Sequence, residues 1–293
     1  MLGEDEPVTR TTRLTVAALL TAAALTACSG SGDPESSPAS SSGSPSATES
    51  TVSSPAATPT PARAVPSPRN RACYAYGYSA AVAPIAHGDP VACDHAHTAI
   101  TFAVGDLDSV VDGHLVSVDS DRVQAQVADA CPKAFDRFVG GTPEVQRLTM
   151  LRPVWFTPSL RQSDQGANWY RCDAVAIAAD ERLAPLVGRL QGVLARPLAR
   201  ARYAMCGTAE PGTPAFHRVI CSASHAWKAI STVDVPGERY PGVEKARAAG
   251  QQPCQDAARQ VADDPLNYRW GYEWPTADQW QHGQRYGICW APD

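Results

Sequence analysis

The sequence predicts an α+β fold made of two similar disulfide-stapled units, each a small antiparallel sheet with one helix. The first observation is the cysteine spacing. Apart from Cys28, the first four cysteines are separated by 20, 38 and 41 positions and the last four by 15, 33 and 35. The second is that strand-like runs and one helical pattern recur in the same order around these cysteines. The eight are Cys73, Cys93, Cys131, Cys172, Cys206, Cys221, Cys254 and Cys289.

Residues 1–27 have the pattern of an export signal. Arg10 and Arg13 precede an apolar run over residues 14–25, which is too short to span a bilayer because a spanning helix needs about 20 residues. The run ends in LTAC, which resembles the lipobox of bacterial lipoproteins and implies acyl chains such as palmitate on Cys28. Two or more chains would hold the protein stably at the outer face of the plasma membrane. The alternative is plain secretion with Cys28 unmodified.

Residues 28–71 are predicted to be a disordered tether. The segment consists almost entirely of Ser, Pro, Thr, Ala and Gly and has no apolar periodicity. Such a composition cannot bury enough surface to offset the entropy lost on ordering. A flexible coil of this length has a root-mean-square reach of roughly 35–40 Å.

The remaining chain divides into a first unit at residues 72–179, a connector at 180–202 and a second unit at 203–293. VACDHAHTAITFAV around Cys93 matches VICSASHAWKAISTV around Cys221, and WFTPSLRQSDQGANWYRC aligns without a gap with YEWPTADQWQHGQRYGIC. An even number of cysteines in an exported chain indicates a disulfide framework. The simplest pairing joins neighbours within each copy, namely 73–93, 131–172, 206–221 and 254–289.

Each unit is predicted to contain one long helix. Ser120 is placed to cap a helix over residues 121–139, which Gly140 would end. Its expected core face consists of Val123, Val127, Ala130, Ala134 and Phe138. The second helix is expected over residues 243–261, interrupted around Gly250 and Pro253. TAITFAV, LTMLRPVWF, WYRCDAVAIA, KAISTV and YGICW are predicted strands, and the connector is compatible with either a helix or a hairpin.

Potential metal ligands cluster at Cys93, Asp94, His95 and His97. The second copy retains only the cysteine and the second histidine, as Cys221 and His225. The comparison therefore favours a disulfide at Cys93, with His97 and His225 forming local hydrogen bonds, and we predict no metal site. A His-x-His metal patch at His95 and His97 is the alternative, because side chains two residues apart share one face of a strand.

The segments CDHAHTAITFAVGDL, CPKAFDRFVGG, LRPVWFTPSLRQSDQGANWYRCDAVAI and WQHGQRYGICW resemble the septum-formation (septum-formation-related) domain family of actinobacterial envelope proteins. The resemblance covers nearly all of residues 73–293. It implies an exported or membrane-anchored protein with paired cysteines, associated by name with division-septum assembly. It assigns no catalytic residue.

The expected function is a non-enzymatic binding or scaffolding role in the cell envelope. The formal net charge of −5 argues against nucleic acid as a partner. His-Glu-x-x-His, Gly-x-Ser-x-Gly, Cys-x-x-Cys and Walker motifs are absent from the sequence, so we predict no catalytic residue and no cofactor. The expected partners are the membrane, through the lipid on Cys28, and an unknown envelope or division protein or cell-wall glycan. The alternative is an enzyme that acts on cell-wall material.

An aromatic segment provides the candidate partner-binding residues. In LNYRWGYEWP, Tyr268, Trp270, Tyr272 and Trp274 alternate, so a strand would place all four on one face. Tyr272 has an aromatic counterpart in Trp155 of the first copy, whereas Tyr268, Trp270 and Trp274 have none. We expect at least two of these three to be solvent-accessible and to bind a partner, because amphipathic rings suit sugars and protein hot spots. A wider core or a subunit contact is the alternative.

Overall fold

The computed structural model describes residues 65–86 and 88–293. The predicted signal peptide, the lipidation site Cys28 and all of the tether before residue 65 lie outside the described residues. Within the described part, no helix combines the length and the apolar character needed to cross a membrane.

The first unit is an antiparallel sheet with one long helix, together with short helices in its loops. The connector adds a further strand to the sheet and two short helical turns. In chain order the elements are β1 (Cys73–Tyr74), α1 (Tyr78–Ala81), β2 (Ala99–Asp106), β3 (Val110–Val111), β4 (His114–Leu115), α2 (Asp121–Val139), α3 (Pro143–Arg147), β5 (Leu151–Phe156), α4 (Leu160–Asp164), β6 (Trp169–Ala179), β7 (Arg182–Ala184), a 3-10 helix (Val193–Ala195) and α5 (Pro197–Ala201).

The second unit repeats the same plan, and the structure confirms the predicted α+β class. Its elements are β8 (Met205–Gly207), β9 (Arg218–Ile220), β10 (Trp227–Asp234), α6 (Val243–Val261), β11 (Gly271–Glu273), α7 (Ala277–Gln281) and β12 (Tyr286–Pro292). The strand order β1-β2-β6-β5 in the first sheet corresponds to β8-β10-β12-β11 in the second.

The two sheets share their register as well as their strand order. Trp155 lies opposite Cys172 in the first sheet, and Tyr272 lies opposite Cys289 in the second. These pairs are the ones that the gap-free sequence alignment equates. The loop between the paired strands is also repeated, because α4 and α7 both begin with a capping box. Gly166 and Gly283 then turn the chain at φ of 89° and 90°, where glycine carries no steric penalty.

The structure has the four predicted disulfides, Cys73–Cys93, Cys131–Cys172, Cys206–Cys221 and Cys254–Cys289. Two of them join the long helix of a unit to the central strand of its sheet. Cys131 on α2 bonds to Cys172 on β6, and Cys254 on α6 bonds to Cys289 on β12. All four of these cysteines are fully buried.

The long helices differ from the sequence predictions in two respects. The buried face of α2 consists of Val123, Val127, Cys131, Phe135 and Val139, whereas the predicted Ala130, Ala134 and Phe138 are only partly buried. The bond from Cys131 to the sheet accounts for this rotation. Helix α6 is continuous, not interrupted at Gly250 and Pro253. Ser120 occupies the N-cap position of α2 without a side-chain capping bond.

The two units share one hydrophobic core. It combines the α2 side of the first sheet, the connector and the face of the second sheet that points away from α6. From the second sheet, Ile288 and Trp290 enter this core, and Leu190 and Leu194 enter it from the connector. Backbone hydrogen bonds also join the units, with Met150 N–H donating to the carbonyl of Tyr203 at 2.8 Å.

A buried ion pair lies on the other face of the first sheet. Arg171 and Asp173, adjacent on one face of β6, are 3 % and 0 % exposed and approach to 2.9 Å. The Asp173 carboxylate also accepts hydrogen bonds from Tyr76 at 3.0 Å and Thr101 at 2.7 Å. The guanidinium lies 3.9 Å from the centroid of the Tyr74 ring. Burial raises the pKa of Asp173, and the charge of Arg171 opposes this shift.

Candidate binding groove

A groove of about 590 Å³ lies on the second unit, between α6 and the segment that contains β11. This volume lies within the range of small-molecule sites. We call it the aromatic groove because three of its lining side chains are Trp or Tyr. It is lined by Pro211, Gly212, Glu244, Arg247, Ala248, Gln251, Trp270, Gly271, Tyr272 and Trp274.

Tyr272 is held rigidly within the groove. A Cβ atom placed on Gly250 or on Gly287 would lie 2.1 Å or 2.3 Å from atoms of the Tyr272 side chain. The ring therefore fits between the helix and strand β12 only because both positions are glycine. Its hydroxyl donates a hydrogen bond to the carbonyl of Ala246 at 3.2 Å. Burial raises the pKa of Tyr272 to about 12, so the hydroxyl stays neutral at physiological pH.

Two tryptophan residues flank strand β11 in the chain. Trp270 precedes the strand and Trp274 follows it, and both rings are half-buried. They pack against the cluster formed by Cys254, Tyr272 and Cys289. The rings are therefore accessible on the groove side while their other contacts fix their positions.

The structure brings together two of the three predicted partner-binding residues. Trp270 and Trp274 line the groove, whereas Tyr268 does not. Tyr268 is half-buried as well, and its ring lies near the guanidinium of Arg259, 5.9 Å from ring centroid to Cζ. The predicted long strand is wrong, because only Gly271–Glu273 pairs with β12.

A polar wall along α6 was missed by the sequence predictions. Glu244, Arg247 and Gln251 lie three and four residues apart, so one stripe of the helix carries all three side chains into the groove lining. The Arg247 guanidinium lies 5.3 Å from the centroid of the Trp274 ring, within cation–π range. This spacing is visible in the sequence, but nothing in the sequence shows that the stripe faces the aromatic segment.

The first unit has larger residues at the positions that correspond to the two glycines. When Cys131 is aligned with Cys254, Gly250 corresponds to Val127, and the strand alignment equates Gly287 with Tyr170. Val127 is fully buried in the core. The slot that accepts Tyr272 is thus specific to the second unit.

His97 and His225, each four residues after Cys93 or Cys221, form the expected local hydrogen bonds. His97 Nδ1 lies 2.8 Å from the carbonyl oxygen of His95, and His225 Nδ1 lies 2.7 Å from that of Ala223. The carbonyl contact, together with the carboxylate of Asp293 at 2.9 Å from Nε2, raises the pKa of His225.

Cys206, His225 and Asp293 bring one potential metal-ligand atom each within 4.8 Å of one another. Metal ligation by cysteine requires a thiolate. The sulfur of Cys206 is bonded to Cys221 and cannot supply one. The cluster is therefore a hydrogen-bonded contact beside a disulfide.

Comparison with known protein families gives one match. A family model described as septum formation matches residues 151–289. Residues 151–289 therefore resemble the septum-formation family. The match begins at β5 of the first unit and ends at Cys289 in β12, so the matched segment includes the ion pair at Arg171, the connector and the whole lining of the aromatic groove. The family's description suggests a role in septum formation. Neither the curated proteins nor the solved structures give a match.

Proposed function

We propose that this protein is an exported, lipid-anchored and non-enzymatic binding protein that acts in division-septum formation, with the aromatic groove as its binding site. The observation that carries the proposal is the groove itself, in which Trp270 and Trp274 flank the fixed ring of Tyr272. Large rings held in position before binding contribute contact area at a small loss of conformational entropy. The septum-formation match supports the cellular process.

The repeat supports the choice of site. Both units share one fold, so the residues common to both are explained by stability. The indole rings of Trp270 and Trp274 and the two glycines that accept Tyr272 occur only in the second unit. A feature added to a fold that is complete without it is available for function.

The proposed location rests on the N-terminal sequence. The basic residues, the short apolar run and the LTAC motif support export and acylation of Cys28. In this proposal, the Ser/Pro/Thr-rich residues 28–71 separate the folded units from the outer face of the plasma membrane.

Replacing Cys28 by Ala tests the lipid attachment. We expect the variant to lack acyl chains and to accumulate uncleaved or appear in the medium, because Cys28 supplies the sulfur that is acylated. Mass spectrometry and membrane fractionation measure the two effects. Unchanged mass and membrane retention would contradict the lipoprotein assignment.

Replacing both Trp270 and Trp274 by Ala tests the groove. We expect the double variant to associate with envelope material more weakly by about 2 kcal/mol or more, as truncation of hot-spot residues does. A cross-linking pull-down from whole cells measures this association. Because both rings also contact buried residues, some loss of stability is expected too. Binding is therefore measured well below the melting temperature of the variant.

Tyr268→Ala is the matched control, since Tyr268 is a half-buried aromatic residue in the same segment but outside the groove lining. Its cross-linking should match that of the wild type. Equal cross-linking of the folded double variant and the wild type would rule out the groove as the binding site.

A further inference from the structure

We infer that the aromatic groove binds an uncharged saccharide chain at least two rings long. This inference rests on the proposed function, because it specifies the ligand of the site proposed above. It follows from three properties of the groove, namely its ring surfaces, its polar wall and its balance of charge.

The ring surfaces suit the apolar faces of sugars. A pyranose ring presents C–H groups on its faces and hydroxyl groups around its edge. The negative face of an indole ring attracts such C–H groups, and the contact removes apolar surface from water. Trp270 and Trp274 precede and follow β11 in the chain and line the same groove, with Tyr272 between them, so a ligand that contacts both must extend past Tyr272. A single ring would contact only one indole, which favours a chain.

The polar wall suits the hydroxyl edges. Each sugar hydroxyl both donates and accepts hydrogen bonds, so its best partners are side chains of both kinds. Glu244 supplies acceptors, Arg247 supplies donors and the amide of Gln251 supplies both. These side chains line the groove from α6, while Trp270 and Trp274 line it from the β11 segment. A ring seated on an indole would present its edge to this wall.

The charge balance argues for an uncharged ligand. Glu244 and Arg247 cancel within the groove lining. The nearby charges are also paired, since Arg269 binds Glu210 at 2.7 Å and Arg218 binds Glu273 at 2.9 Å. The resulting surface gives no electrostatic preference for a polyanion or a polycation.

The wall opposite α6 is also held in place. A Cβ atom on Gly271 would lie 2.8 Å from the Cγ atom of Pro211, so the loop containing Pro211 and Gly212 rests directly on strand β11. With Tyr272 fixed between Gly250 and Gly287, the groove is largely formed before a ligand arrives. A preformed site reduces the entropy lost on binding, which matters for a ligand held by weak stacking contacts.

Proline-rich peptides also bind aromatic grooves, and they provide the competing outcome of the test. We would titrate the full chain with β-linked N-acetylglucosamine oligomers from monomer to hexamer, and separately with a peptide that copies residues 57–70. Binding is followed by calorimetry and by tryptophan fluorescence. We expect the oligomers to bind, with affinity that rises from monomer to trimer. We also expect the proline-rich peptide not to bind.

Two variants assign the binding to the groove. The Trp270→Ala/Trp274→Ala variant should bind the oligomers at least about tenfold more weakly, a factor that corresponds to about 1.4 kcal/mol. Arg247→Met, which retains the aliphatic stem but removes the donors, should weaken binding with little effect on the melting temperature. Tyr268→Ala should bind as the wild type does.

The outcomes separate this inference from the proposed function. If the oligomers do not bind, or bind the folded double variant equally well, the saccharide inference is wrong. It is also wrong if only the peptide binds. In each of these cases the proposed function stands, provided that the double variant loses its cross-links in cells. If it keeps them, the proposed function is wrong as well.

Discussion

Replacing Asp173 by Ala should lower the free energy of unfolding by about 3–5 kcal/mol, because the change leaves the guanidinium of Arg171 buried without its counter-charge. Arg171 is 3 % exposed and packs on the rings of Tyr74 and Phe156, so water cannot replace the lost carboxylate. The hydroxyls of Tyr76 and Thr101 would lose their acceptor as well. Urea denaturation under non-reducing conditions measures the effect.

The second unit suggests the control for this experiment. The positions equivalent to Arg171 and Asp173 hold Ile288 and Trp290, so the same fold accepts an apolar pair there. We expect Arg171→Met combined with Asp173→Leu to recover at least half of the stability lost in Asp173→Ala, since no buried charge remains. A double variant less stable than the single one would show that the ion pair itself stabilises the unit.

Removing the Cys131–Cys172 disulfide by replacing both cysteines with Ala should destabilise the protein by about 4 kcal/mol. The bond closes a loop between residues 41 positions apart, and loop-closure entropy of the unfolded chain gives a value of this size. The bond also fixes the rotation of α2 on the sheet. We therefore expect weaker protection of α2 amides in hydrogen exchange, beyond the loss in global stability.

The Cys206–Cys221 bond provides the matched comparison. It closes a loop of only 15 positions between β8 and the loop after β9, and the same reasoning gives about 3 kcal/mol for its removal. Its removal should leave the hydrogen exchange of α2 unchanged relative to the rest of the core. A larger loss from this bond than from Cys131–Cys172 would contradict the entropic argument.

Local sequence signals predicted the repeated framework correctly. The spacing of the cysteines gave the four pairings, and the gap-free alignment of the last segment of each unit gave the strand register. The pairings could be predicted because the same spacing occurs twice, and the register could be predicted because it depends on short-range rules. Ser159 and Thr276 cap the following turn, and Gly166 and Gly283 adopt positive φ. These capping and turn residues lie close together within the aligned segments 155–172 and 272–289.

Short-range signals failed where a long-range contact decides the outcome. Gly250 and Pro253 suggested a break in α6, yet Tyr272 needs the glycine and the helix continues through the proline. The predicted face of α2 was shifted because the helix packs on the sheet with the face that contains Cys131, Val127 and Phe135. Helical periodicity defines a stripe to within about one residue and does not select among neighbouring stripes.

The sequence by itself thus determined the two units, their disulfides and the aromatic segment, since each is encoded by residues close together in the chain or by a spacing that occurs twice. Only the tertiary structure decided the groove and the ion pair. The polar stripe on α6 meets Trp270 and Trp274 because the Cys254–Cys289 bond and the Tyr272 slot hold the helix beside β11. Arg171 and Asp173 are buried because residues 74–81 cover that face of the first sheet, whereas in the second unit the equivalent face packs into the shared core. Contacts between residues far apart in the chain leave no periodic signal in either segment.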